Sequence, residues 1–315
     1  MSNRTARVLA AATALLALGA GAGCSTGGAA GADPQRVDVV AAFYPLQFLA
    51  ERIGGDAVRV TNLAKPGAEP HDLELNAGQV GQVTEAELIV YLKGFQPAVD
   101  DAVEQNGGDR AFDVTSVQPL LDANAGGHNH EGEKESGEEQ HGGGKDPHVW
   151  LDPTRLAGIG DQLAQRLGRA DPDHAADYTA RAAALRADLT TLDTEFSQGL
   201  KTCQRREIVT SHTAFGYLAD RYQLEQVGIT GLSPDVEPSP QRLAQVIEEA
   251  KAHRTTTIFF ETLVSPKVAE TIAGPVGART AVLDPIEGLA AGSGADYLSV
   301  MRTNLQALRT GLSCS

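Results

Sequence analysis

The sequence predicts an α/β protein with two lobes, each containing a parallel sheet, joined by one long rigid helix. Two series of alternating strand-like and helix-like segments, one in each half of the chain, predict the lobes. Between the two series, apolar residues recur at helical spacing, which predicts the long helix. We therefore expect an amino-terminal lobe at residues 36–171, a linking helix at residues 172–202 and a carboxyl-terminal lobe at residues 203–315.

The overall charge excludes one large class of partner. The chain has 315 residues and a formal net charge of −15 at pH 7. Binding to the phosphate backbone of nucleic acids depends on clustered cations, so we do not expect this acidic chain to bind nucleic acid. With 42% hydrophobic residues the chain can form a sizeable core, which indicates a globular protein.

The amino terminus has the order of features of an export signal. Two arginines are followed by an uncharged, mostly apolar stretch at residues 8–23 and then by Cys24. We expect residues 1–23 to be a signal peptide, Cys24 to carry a lipid, and residues 24–35 to be a small polar tether. The protein is then exported and anchored to the outer face of the cell membrane as a lipoprotein, on the periplasmic or extracellular side. The alternative is an ordinary cleaved signal in which Cys24 has no role.

The first series of segments begins with a β-branched run and ends at a break in the pattern. Runs of β-branched and apolar residues predict strands, and longer stretches with helical periodicity predict helices. The predicted strands span residues 36–42, 58–64, 88–92 and 112–116, and the predicted helices span residues 44–53, 77–87, 95–105 and 154–168. Residues 124–146 are rich in Gly, Glu and His and nearly free of apolar residues, so we expect a disordered, solvated loop there.

The second series repeats the alternation of strands and helices. The predicted strands span residues 207–211, 225–229, 256–261 and 280–284, and the predicted helices span residues 214–222, 241–253, 265–273 and 297–312. Open parallel sheets bind ligands at the carboxyl ends of their strands, so we expect the two lobes to face each other across a binding cleft. Apart from Cys24 the chain contains Cys203 and Cys314, and an even pair in an exported protein predicts one disulfide.

Four residues at predicted strand ends form a candidate metal site. His71, His148 and His212 each lie at a strand end or loop entry, and Asp284 ends the last predicted strand. Three imidazoles and one carboxylate make a four-coordinate set that suits Zn²⁺. Each residue alone says little, because a strand-end His is more often structural and Asp before Pro is a common turn element. The set is more informative, since each lobe contributes two of its members.

Other chemistries have less support in the sequence. The motifs of zinc peptidases, α/β-hydrolases, P-loop proteins and dinucleotide-binding proteins are absent from it. A metallohydrolase needs a general base beside an open coordination position, and Glu261 is the one candidate for that base. His128, His130 and His141 in the predicted loop can bind divalent metal weakly, although a merely solubilising loop explains them equally well.

Several motifs occur in a fixed order along the chain. They are PGAEPH at residues 66–71, DPHVWLDP at 146–153, IVTSH at 208–212, AFGY at 214–217, GLSP at 231–234, EPS at 237–239, IFFE at 258–261 and LDP at 283–285. Together they resemble the ZnuA-like zinc and manganese class of ABC-transporter solute-binding proteins over essentially the whole mature length. The resemblance implies two α/β lobes joined by a long rigid helix, with a metal bound between the lobes and delivered to a membrane permease.

The resemblance also implies which residues bind the metal and which metal they bind. Carried over by position, the ligands are His71, His148, His212 and Asp284, whereas Gln96 stands off this set where the family commonly has Glu. The transported ion is expected to be Zn²⁺ rather than Mn²⁺, because manganese-like members have a carboxylate where His212 stands. We therefore expect a monomeric transport component without enzyme activity. A metal-buffering or adhesin-type surface lipoprotein is the main alternative, and a metallohydrolase is a weaker one.

Overall fold

Two four-stranded parallel sheets organise the protein, and both have the same strand order. The structure is a computed structural model that describes residues 36–123 and 144–315. The first sheet contains β1 (Val37–Ala41), β2 (Val58–Asn62), β3 (Leu88–Tyr91) and β4 (Ala111–Asp113), in the order β2-β1-β3-β4. The second sheet contains β5 (Glu207–Thr210), β6 (Glu225–Gly228), β7 (Thr257–Phe260) and β8 (Arg279–Val282), in the order β6-β5-β7-β8. The predicted two-lobe α/β fold class is confirmed.

Helices connect successive strands, because parallel strands require a crossover between the end of one and the start of the next. The crossover helices are α1 (Tyr44–Gly54), α2 (Ala77–Glu85) and α3 (Pro97–Asn106) in the first lobe, and α6 (Gly216–Tyr222), α7 (Pro240–Ala252) and α8 (Lys267–Val276) in the second. Local sequence signals set several helix starts. Asn76 and Ser239 accept backbone hydrogen bonds as amino-terminal caps of α2 and α7. Pro97 and Pro240 stand in the first turns of their helices.

Two long helices, α4 (Pro153–Ala170) and α5 (Ala175–Gly199), connect β4 to β5, and α9 (Tyr297–Gly311) closes the chain. The 25 residues of α5 make it about 37 Å long at the usual helical rise. It packs along α4 and also contacts α1 and α9. Its buried face includes the predicted apolar series, with Leu185, Leu189, Leu192 and Phe196. The long helix is therefore present, while the domain boundaries drawn around it remain a prediction.

An aromatic cluster stiffens the carboxyl-terminal edge of the first sheet. The ring of Phe43, which follows β1, lies 4.6 Å from that of Phe95 and 4.9 Å from that of Trp150 between centroids. All three rings are buried. Trp150 lies in a short 3₁₀ turn at Val149–Leu151 that directly precedes α4. The loops that leave the ends of β1, β3 and β4 are thereby packed together.

The carboxyl terminus is fastened covalently. The predicted disulfide between Cys203 and Cys314 is confirmed, and it joins residues 111 apart, from the segment before β5 to the segment after α9. In the described part of the chain, no helix combines the length and apolar character needed to cross a membrane. The expected signal peptide, tether and lipidated Cys24 lie outside the described residues, as do His128, His130 and His141.

Candidate metal centre

The centre is built from four loops that follow strands of the two sheets. His71 lies between β2 and α2, and His148 directly precedes the 3₁₀ turn before α4. His212 follows the end of β5 by two residues, and Glu287 lies beyond the end of β8. Parallel strands bring their carboxyl ends to one edge, so two loops from each sheet can meet at one place.

The four side chains converge on a single point. The Nε2 atoms of His71, His148 and His212 lie 3.4, 3.0 and 3.2 Å from Oε1 of Glu287. Nε2 of His148 also lies 3.4 Å from Nε2 of His212. One ligand atom from each of the four residues lies within 4.8 Å of the other three. The cluster thus presents three imidazole nitrogens and one carboxylate oxygen to one volume.

This spacing matches a tetrahedral metal site. With metal–ligand bonds of about 2.05 Å, the ligand atoms of a tetrahedral Zn²⁺ site lie about 3.3 Å apart. The four distances above run from 3.0 to 3.4 Å. Small adjustments of the side chains therefore suffice to place an ion at the common centre.

The site is closed to water on three of its four sides. His148 and His212 are fully buried, and Glu287 is 2% exposed. The side chain of His71 is 10% exposed and is the only member of the four that reaches the surface. His71 therefore gives the cluster its most direct contact with solvent.

Buried carboxylates hold the metal-free site in a protonated state. Burial alone lowers the pKa of His212, but Glu261 and Glu287 outweigh it and raise that pKa to about 10. Burial also opposes the charge of His148, yet hydrogen bonds to Asp146 and Glu287 raise its pKa. Burial alone raises the pKa of Glu287, whereas His212 and the hydrogen bonds of the histidines lower it well below the usual value. Protons on the imidazoles thus compensate the carboxylates when no metal is bound.

Two further carboxylates orient the buried rings. Nδ1 of His148 lies 2.8 Å from Oδ1 of Asp146, and Nδ1 of His212 lies 2.6 Å from Oε1 of Glu261. A carboxylate oxygen beside Nδ1 accepts a hydrogen bond from a proton on that nitrogen. In the neutral ring the single N–H proton is therefore on Nδ1, and Nε2 is free to act as a metal ligand. Such partners fix both the tautomer and the direction of a ligating histidine.

The loop that carries His71 is held by its neighbours. The backbone amide of His71 donates to Oε1 of Glu69 at 3.1 Å, and Nε2 of Gln96 donates to the carbonyl of Pro70 at 3.1 Å. The edge of the His71 ring packs against Phe95, with 4.6 Å between centroids. Burial of Glu69, reinforced by nearby Glu287, raises the pKa of Glu69 to about 8. Gln96, which the sequence places off the ligand set, thus holds the His71 loop through its hydrogen bond to Pro70.

The fourth member of the cluster differs from the sequence expectation. The structure brings His71, His148 and His212 together as expected, but Glu287 rather than Asp284 completes the cluster. Oδ1 of Asp284 accepts a bond from the backbone amide of Ile286, and Oδ2 accepts one from the Thr262 hydroxyl. One oxygen is therefore engaged by its own loop and the other by the segment that follows β7, and Asp284 lies outside the cluster. Glu287, a carboxylate five residues beyond the end of β8 and three beyond the end of the predicted strand, is the residue that the sequence analysis did not single out.

Comparison with known proteins identifies relatives of this fold and site. The zinc-binding lipoprotein AdcA of Streptococcus pneumoniae (strain ATCC BAA-255 / R6) is 35% identical over 281 residues, covering 87% of this chain and 55% of AdcA. This chain thus spans about half the length of that relative (55%). The high-affinity zinc uptake system protein ZnuA of Bacillus subtilis is 33% identical over 291 residues, which is 91% of each chain.

A solved structure shows the same architecture. The laminin binding protein Lmb of Streptococcus agalactiae, described as a bifunctional protein with adhesin and metal transporting activity, has a TM-score of 0.75 and 30% sequence identity, covering 88% of this chain and 99% of Lmb. The ZnuA family, described as zinc-uptake complex component A periplasmic, matches residues 39–311. Since that match extends over most of the sequence, the chain belongs to the ZnuA family of solute-binding proteins.

Proposed function

We propose that this protein captures one Zn²⁺ outside the cytoplasm and delivers it to the permease of an ABC transporter. The proposed ligands are His71, His148, His212 and Glu287. The observation that carries the proposal is their geometry, because four of the six distances between ligand atoms are 3.0 to 3.4 Å, close to those of a tetrahedral zinc site, and all four atoms lie within 4.8 Å of one another. The names of the relatives AdcA and ZnuA, both zinc proteins, support the same ion.

The donor set favours Zn²⁺ over Mn²⁺. Imidazole suits zinc, whereas carboxylate, carbonyl and water ligands suit manganese. Three of the four proposed ligands are imidazoles, and the burial of His148 and His212 leaves little room for added waters. Affinity order alone does not separate Zn²⁺ from Cu²⁺, which binds more tightly at most N/O sites, so selectivity between those two depends on geometry and supply.

The same geometry argues for binding and against catalysis. A catalytic zinc has three protein ligands and an open position for water or substrate. Here four protein atoms surround the centre, and Glu261, the one candidate general base, lies 2.6 Å from Nδ1 of His212. We therefore infer a solute-binding protein without enzyme activity.

Location and partners follow from the family and the amino terminus. We infer export, a lipid anchor at Cys24 and a monomeric chain that docks on a membrane permease. AdcA of S. pneumoniae, whose name describes a zinc-binding lipoprotein, supports the anchor. The loop at residues 124–146, with His128, His130 and His141, is proposed to gather zinc and pass it to the centre.

The test is the metal content of two soluble versions of the chain that begin after Cys24, one complete and one lacking residues 124–143, so that Asp146 stays beside His148. Each is equilibrated with mixed Zn²⁺ and Mn²⁺ and analysed by mass spectrometry. One tightly held zinc per chain in both versions, without manganese, supports the proposal. Loss of all zinc from the version without the loop assigns metal binding to the loop and overturns the proposal.

A second function is favoured by one structural relative. Lmb shares this fold and is described as both adhesin and metal transporter. An adhesin role for this chain predicts saturable binding to immobilised laminin that survives removal of zinc. Transport without adhesion predicts no binding above that of an unrelated acidic protein.

A further inference from the structure

The residue that precedes Glu287 has an unusual backbone conformation. Ile286 has φ of +58°, in the left-handed region, and its side chain is fully buried. For a β-branched residue this region is a genuine outlier, because the branched Cβ crowds the backbone. Strain of this kind persists only when surrounding contacts hold it, and it is often found at binding sites. The left-handed residue Ile286 stands immediately before Glu287, the proposed metal ligand.

Asp284 fastens this turn from within the loop. Its Oδ1 accepts a hydrogen bond of 2.8 Å from the backbone amide of Ile286, and its Oδ2 accepts one of 2.8 Å from the Thr262 hydroxyl. The first bond spans two residues and directly stabilises the strained conformation. The second fixes the carboxylate to the segment that follows β7.

Two buried side chains fasten the same turn from outside. Asn304 on α9 accepts a bond of 2.9 Å from the amide of Asp284 and donates one of 2.6 Å to its carbonyl. Nε1 of Trp150 donates a bond of 2.7 Å to the carbonyl of Pro285. Trp150 follows His148 by two residues, so the loop of one metal ligand is bonded to the loop of another. We call Asp284, Asn304 and Trp150 the Asp284 clamp.

We propose that Asp284 is a positioning residue that holds Ile286 in its left-handed conformation and thereby aims Glu287 at the three histidines. The proposal rests on the zinc-binding function proposed above. Asp284 acts through hydrogen bonds of its side chain and does not touch the metal. These hydrogen bonds give the Asp284 carboxylate, two residues beyond the end of β8, a role although Glu287 completes the cluster.

The test compares Asp284→Asn with Asp284→Ala, using zinc titration against a chelator of known affinity. Asparagine keeps an oxygen for the Ile286 amide, and the Thr262 hydroxyl can accept from its amide group. We expect Asp284→Asn to stay within about threefold of the unaltered protein, and Asp284→Ala to weaken zinc binding about 10- to 100-fold, as losses of supporting hydrogen bonds do. The double variant with Ile286→Gly should recover most of the loss, because glycine adopts the left-handed conformation freely.

A matched control and a spectroscopic readout separate positioning from general destabilisation. Asp113→Ala removes a bond of the same kind, which the amide of Thr115 donates to Oδ1 of Asp113 at 2.9 Å, in a loop of the first lobe. It should leave zinc affinity unchanged. With Co²⁺ as the probe, the visible spectrum of Asp284→Ala should approach that of Glu287→Ala, while Asp284→Asn should match the unaltered protein.

The possible results separate a positioning role of Asp284 from a ligand role and from failure of the proposed zinc binding. If Asp284→Asn loses as much affinity as Glu287→Ala, Asp284 is a ligand and the positioning role is refuted. If Asp284→Ala binds zinc like the unaltered protein, the clamp is irrelevant and the role is refuted as well. If Asp284→Ala does not fold, Asp284→Asn still decides between ligand and positioning residue. If the unaltered protein holds no zinc at the cluster, the proposed function itself fails.

Discussion

Zinc binding should become steeply weaker as the pH falls, because the ion has to displace protons from buried histidines. The pKa of His212 in the metal-free protein is raised to about 10, mainly by Glu261 and Glu287 acting against burial. The pKa of His148 is also raised above its usual value of 6.5. Both rings are ligands only when Nε2 is deprotonated, so each proton displaced makes the apparent dissociation constant tenfold larger per pH unit lowered.

The magnitude follows from counting these protons. Below pH 6.5 both rings are protonated, so zinc binding displaces at least two protons and the affinity should fall at least about 100-fold per pH unit. Between pH 6.5 and about pH 9, displacement of the His212 proton alone should make the zinc affinity fall at least about tenfold for each pH unit lowered. Glu287, whose pKa is lowered, stays ionised in this range and adds nothing to the slope.

Calorimetry in buffers of different ionisation enthalpy counts the protons, and chelator competition gives the affinity at each pH. Glu261→Gln is the matched variant, because it removes the first of the two carboxylates that raise the pKa of His212. In that variant the slope between pH 7 and 9 should decrease. A zinc affinity that is flat between pH 6.5 and 8 in the unaltered protein would show that His212 is not protonated in the metal-free state, and the electrostatic reasoning would be refuted.

Four further predictions concern the ligand set, the proton balance, the disulfide and the loop. Glu287→Ala should weaken zinc binding by at least about 100-fold, measured by chelator competition, since it removes a bond to the metal and leaves the three imidazoles facing one another. In the metal-free protein, the stability that His212 contributes should be complete below its unfolded pKa of 6.5 and lost as the pH rises through about 10, which thermal unfolding at pH 7 and 10 can detect. Changing Cys203 and Cys314 to Ser should cost up to about 4 to 5 kcal/mol in the free energy of unfolding for a closed loop of this length (separation of 111), measured by urea denaturation. Deleting residues 124–143, which leaves Asp146 beside His148, should slow zinc loading at low concentration and leave the equilibrium affinity of the centre unchanged, which stopped-flow and equilibrium titrations can compare.

The sequence was most informative where chemistry and strand ends coincide. His71, His148 and His212 were predictable as a group because each follows a strand or enters a loop in its own lobe, and parallel sheets gather such positions at one edge. The disulfide was predictable because Cys203 and Cys314 are the two cysteines left beside Cys24 in a chain whose amino terminus has the features of an export signal. The long helix was visible in the spacing of its leucines, and it begins as a 3₁₀ turn at Pro172–His174.

The fourth position was not predictable, and the reason is conformational. Asp284 ends the last predicted strand and precedes Pro285, a position at which a side chain is expected to project into the cleft, whereas β8 itself ends at Val282. The chain instead turns back at Ile286, a residue type that gives no sequence signal for a left-handed conformation. The Asp284 carboxylate accepts a hydrogen bond within that turn, and the Glu287 side chain lies beside the three histidines. The sequence pattern therefore pointed to Asp284, whereas the structure, in which Asn304 and Trp150 bond the same loop, places Glu287 in the cluster.

Charge balance explains how such a buried site can exist both with and without its ion. Asp146, Glu261 and Glu287 surround the histidines in a nearly water-free volume, where uncompensated charge is very costly. Without metal, protons on His148 and His212 supply the compensating positive charge, as their raised pKa values indicate. With Zn²⁺, two protons leave and two positive charges arrive, so the net charge of the cluster is unchanged. The exchange then gives the lobes no electrostatic reason to separate on release, and α5 packs along α4 and also contacts α1 and α9. We therefore expect solution scattering to show nearly the same radius of gyration with and without zinc, with release confined to the loop of His71, and a large change would contradict this exchange of protons for metal.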